Sequence, residues 1–158
     1  MQQNLKESAS KVLQLGVLAA LALIEATKAL DIVLTAGPTS VVINSYLSME
    51  LAPSSFNWLS IDIPVLGKVV TIGLAIAHSL LAAILTFAFV NRLIANASQQ
   101  IVLPFFSIAA GLSYYLLSAG IASFFKVSIF ATVDLLILYL AAWAVFQLQP
   151  IVEPSESS

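Results

Sequence analysis

The chain has 158 residues, of which 60% are hydrophobic and only 9% charged, with a mean hydropathy of +1.02. Ordinary soluble domains carry about 25% charged residues, so the composition excludes a conventional water-soluble fold and points to an all-α, polytopic integral membrane protein. Six basic and eight acidic side chains give a net charge of −2 without a basic run, which excludes nucleic-acid binding, and the absence of cysteine excludes thiolate metal sites, thiol catalysis and disulfides within the chain.

The first element follows a polar head, Met1 to Ser10, and runs through an apolar stretch over 12–34 that ends before the Gly37-Pro38 breaker. Lys6 and Lys11 before an apolar run also describe a signal peptide, but the run is long for one and reads as a retained span. Within it, Glu7, Lys11, Gln14, Leu18, Leu21, Glu25, Lys28 and Ile32 recur at steps of four and three, which places them on one helical stripe. Polar groups in a bilayer hold helices together, so this stripe is expected to face protein, with Gly16 and Ala20 permitting close approach.

Residues 36–66 form a connector too polar and too interrupted by Pro53 and Pro64 to cross, with Tyr46 and Trp58 suited to an interface. The second span is expected over 68–90, and the third over 101–119, where Ser107, Ala110, Gly111, Ser113 and Ser118 supply small residues for tight packing. A single helix from Ile101 to Gln149 would extend about 75 Å, more than twice the hydrocarbon thickness. The chain is therefore expected to reverse around Gly120 to Lys126 into a fourth span over 127–146, before a polar tail over 149–158. Four spans put both termini on one side, and weighing Lys6, Lys11 and Arg92 against Lys68 and Lys126 favours the cytoplasmic side. The sequon Asn96-Ala97-Ser98, if used, would reverse that orientation.

Five ionisable residues, Glu25, Lys28, Asp31, His78 and Asp134, lie within or at the end of these apolar stretches. A charge in hydrocarbon costs a few kcal/mol, so such groups usually face a helix bundle's interior and find partners there. At 1.5 Å per residue, Glu25 lies about 14 Å and Lys28 about 9 Å from the connector end of the first span; His78 lies about 15 Å and Asp134 about 11 Å from the same side. These depths predict a polar cluster of Glu25 with His78 and Lys28 with Asp134. Lys28 also has Glu25 and Asp31 within its own helix, each three residues away. Ser113, Tyr114, Tyr115, Ser118 and Tyr139 are candidate further contacts, and Asp31 is close enough to the end of its span to reach water.

The cluster has three readings: a structural one, a proton or ion path, and an axial ligand role in which His78 binds a haem or chlorophyll shared with another chain. No serine elbow, zinc motif or phosphate loop supports an enzyme, and no metal site is expected, since Glu25, His78 and Asp134 offer one ligand per helix where three or four are needed. The expected function is a non-catalytic integral-membrane subunit of a larger complex, with a respiratory or photosynthetic electron-transfer assembly as the favoured context. Its partners would be lipids and other membrane subunits. The alternative is a small homo-oligomeric proton- or ion-coupled transporter or channel using the Glu/His/Asp set.

Overall fold

The computed structural model describes residues 2–35, 63–94, 102–124 and 130–147, and all four segments are helical: α1 (Gln2–Leu34), α2 (Ile63–Ile94), α3 (Val102–Phe124) and α4 (Phe130–Gln147). Residues 36–62 of the connector expected over 36–66, the sequon and the polar tail lie outside the described residues.

Each helix begins or ends differently from its hydropathy limits, for identifiable reasons. The polar head is helical from Gln2, because Gln, Leu, Lys, Glu and Ala are good helix formers whatever their hydropathy. α2 starts at Ile63, inside the expected connector, and passes through Pro64. Proline costs nothing in a first turn, where its missing N–H would be unpaired anyway, and Pro104 in α3 is accommodated in the same way. α3 continues through Gly120 to Phe124, so the expected reversal does not begin at that glycine; α4, Phe130–Gln147, lies over the fourth expected span.

Two of the four helices contain stretches long and apolar enough to cross a membrane, Lys68–Ile94 and Val102–Ile121, while Thr132–Gln147 is apolar but shorter. α1 carries Lys11, Glu25, Lys28 and Asp31 along its length.

The helices pack in chain order, α1 on α2, α2 on α3 and α3 on α4, and α4 closes back on α1. Paired contacts fix the directions. Glu25 meets His78 while Gln14 meets Arg92, so α1 and α2 are antiparallel. Tyr115 meets Tyr139 while Phe105 meets Phe146, so α3 and α4 are antiparallel too.

The inward positions step by three and four: Gln14, Leu18, Leu21 and Glu25 on α1, and His78, Leu81, Leu85, Ala88 and Arg92 on α2. Ile108, Gly111 and Tyr115 continue the pattern on α3, as do Tyr139, Ala142 and Phe146 on α4. This is the near-3.5 periodicity of antiparallel helix bundles. The apolar members form one core, with Trp143 stacked edge-on against Phe105 at 5.0 Å between ring centroids. Gly111 is required there by contact, since a Cβ on it would run into the ring of Tyr139.

Candidate functional site: a carboxylate shared by four helices

Glu25 is fully buried and meets a side chain from each of the other three helices. Its Oε2 lies 2.6 Å from Nδ1 of His78 on α2. Its Oε1 accepts hydrogen bonds from the hydroxyls of Tyr115 on α3, at 2.7 Å, and Tyr139 on α4, at 2.8 Å. An ionised carboxylate is an acceptor only, so with Glu25 charged the Nδ1 of His78 carries a proton and donates it. Charge-assisted bonds of this length are the strong kind, and together they offset the desolvation of a buried carboxylate.

The other ring nitrogen of His78, Nε2, lies 3.4 Å from the hydroxyl of Tyr114. In neutral His78 this nitrogen accepts from Tyr114, and in the imidazolium it donates to Tyr114 instead. Tyr114 packs edge-on against the imidazole at 5.4 Å between centroids and against Tyr115 at 5.1 Å, enclosing the ring. The position that an axial metal would take on Nε2 is therefore held by Tyr114, and His78 as arranged does not fit a haem or chlorophyll ligand. Among the described residues there is no group of three His, Asp or Glu side chains that could hold a metal ion.

Lys28, Asp31, Ser113 and Asp134 sit apart from this cluster. Asp134 is exposed and Lys28 half-buried, and the two form no ion pair with each other, contrary to the match of their depths. After Glu25 the inward position of α1 is Ala29, not Lys28. Asp31 is exposed near the end of α1, where its carbonyl accepts from the N–H of Thr35 at 2.8 Å and from the Thr35 hydroxyl at 2.7 Å. Ser113 is exposed, whereas Ser118, half-buried one turn beyond Tyr114, hydrogen-bonds the Tyr114 side chain and so joins the edge of the cluster.

A second polar layer was not foreseen from the sequence. Nε of Arg92 donates to Oε1 of Gln14 at 3.0 Å, with both side chains buried, and Nε2 of Gln14 donates to the Ser10 hydroxyl at 3.4 Å. Leu18, Leu21, Leu85 and Ala88 fill the core between the two layers. The signal is present in the stripe containing Gln14, but Arg92 lies just beyond the apolar run over 68–90, where a charge marks a boundary rather than an inward position. Elsewhere, Ser79, Thr86 and Ser107 donate their hydroxyls to the carbonyl four residues back, at 2.7 to 2.8 Å, so these groups are satisfied within their own helices.

No protein-family model, curated protein or solved structure matches this chain.

Proposed function

We propose that the chain is a four-span integral-membrane bundle acting as a non-catalytic subunit of a larger membrane complex. The observation that carries this reading is the inverted distribution of polarity. The buried set includes Gln14, Glu25, Thr71, His78, Arg92 and Ser107, while large apolar side chains such as Leu23, Phe87, Phe106 and Leu117 stand outward. An outer surface of this kind suits lipid tails or neighbouring apolar helices. α1 and α4 would then cross as well, α1 with its Glu25 and Gln14 turned inward.

The state of Glu25 supports a structural rather than a catalytic role. Both carboxylate oxygens are occupied by donors of this chain, and a fully satisfied buried network fixes which helix faces meet. Respiratory and photosynthetic complexes are the first context to test. Mass spectrometry of the gently solubilised native assembly, with an absorbance spectrum of the same sample, is expected to recover the chain with other polypeptides. A stable homo-oligomer that carries ion flux in liposomes would overturn the subunit reading.

One observation favours a second reading, a proton-coupled transporter. Tyr114, His78, Glu25 and the pair Tyr115 and Tyr139 form a continuous line of exchangeable protons across all four helices. If that line conducts, proton uptake by proteoliposomes will fall in Tyr114→Phe while the protein stays folded.

A further inference from the structure

Arg92 is 8% exposed, yet its hydrogen bond to Gln14 uses only Nε and reaches a neutral amide. A guanidinium has five N–H donors and keeps its charge in proteins. Among the described residues, the four N–H groups on its two terminal nitrogens meet no acceptor, and no carboxylate lies within ion-pair distance. Leaving a buried charge unpaired is among the costliest arrangements available to a protein, so an acceptor beyond the described residues is called for.

Position along the helix narrows what that acceptor is. Arg92 is two residues from the end of α2 at Ile94, about 36 Å beyond Lys68 and about 21 Å beyond His78 along the helix axis. The hydrocarbon core is about 30 Å thick, so a helix centred in it brings Arg92 to the headgroup boundary. Leu93 and Ile94 beside it are exposed and apolar, as a site in contact with acyl chains requires. Lys11, three residues before Gln14 on the inward stripe, adds a second cation at the same end.

We propose that Arg92, held in place by Gln14, binds a phosphate group, and that the phosphate belongs to an anionic phospholipid. The planar fork of the guanidinium matches two phosphate oxygens at once, and Gln14 fixes its plane by occupying Nε and leaving the terminal nitrogens to the ligand. An anionic headgroup also neutralises the charge, whereas the choline of a zwitterionic lipid carries a competing cation. This inference rests on the membrane-spanning reading of α2.

The test is thermal unfolding of the purified full chain in mild detergent, with phosphatidylglycerol, phosphatidylcholine or inorganic phosphate added, alongside native mass spectrometry of retained lipid. Phosphatidylglycerol is expected to stabilise the protein and to remain bound. Arg92→Gln should weaken its retention about ten- to a hundredfold, the range for one or two charge-assisted hydrogen bonds. Lys68→Gln, at the opposite end of α2, should leave retention unchanged. Equal effects of the two lipids, or undiminished retention in Arg92→Gln, would overturn the site. Stabilisation by inorganic phosphate alone, lost in Arg92→Gln, would support the phosphate site but overturn the lipid as its source. Should Arg92→Gln not fold, competition between the two lipids on the native chain still decides the matter. Release of the chain from membranes by alkaline carbonate would instead defeat the membrane reading itself.

Discussion

Glu25 is where the four helices converge, and its chemistry sets what substitutions should do. Removing the carboxylate with Glu25→Leu strands His78 and two tyrosine hydroxyls, and should cost about 3 to 5 kcal/mol of stability. The double variant Glu25→Leu with His78→Leu should be less destabilised than the two single losses added together, because no charge is left uncompensated. Additive losses in detergent melting would deny the contact. The tyrosines give a finer test. Tyr115→Phe and Tyr139→Phe each remove one of two donors to Oε1 and should cost about 1.5 to 3 kcal/mol, the usual worth of a hydrogen bond to a charged group. Together they leave that oxygen bare, so the double variant should lose at least about 0.5 kcal/mol more than the sum. Gly111→Ala drives a methyl into the Tyr139 ring and should destabilise by about 1 to 3 kcal/mol. Tyr139→Phe in that background should then add little, since the displaced ring no longer reaches Glu25; a full additional penalty would show that the ring had not moved.

At the scale of elements, two polar layers fix how α1 slides and turns against α2. Gln14 and Glu25 are eleven residues apart, about 16 Å, whereas His78 and Arg92 are fourteen apart, about 21 Å. The difference is absorbed by the long side chain of Arg92, which in a helix leans toward the N-terminus and so back toward His78. Inserting one alanine between Leu18 and Leu21 turns the two halves of α1 by about 100° relative to each other, so only one layer can survive. The variant should stay helical by circular dichroism but melt earlier; wild-type stability would mean the layers do not set the register. The same geometry explains what was legible beforehand. Depth along a helix follows from counting residues, and it brought Glu25 and His78 to one level. Azimuth does not follow from depth. Asp134 is five residues before Tyr139, about 140° around α4, and Lys28 is about 60° from Glu25, so matched depths did not make them face each other. The inward role of Arg92 is hidden in the sequence because charge at the end of an apolar run marks a boundary, although the residue sits on the three-four pattern running from His78 through Leu85.

For the whole molecule, the decisive quantity is the number of crossings. The chain lacks cysteine, so single thiols introduced at Ser55, Asn96 and Ser155 report topology without background. With four crossings, Asn96 and Ser155 label from one side and Ser55 from the other. Labelling of Asn96 and Ser155 from opposite sides would remove one of the last two crossings. Four crossings also carry a consequence for biogenesis. Glu25 leaves the ribosome 53 residues before His78 and 114 before Tyr139, so the acid must wait for every one of its donors. As a span, the first helix would not settle alone: until the second arrived, its carboxyl group would have to stay in water, take up a proton or borrow a partner from the insertion machinery. Membrane integration of α1, were it a span, would then be conditional on translation of α2, and the tyrosine supplied by α4 would close the site last.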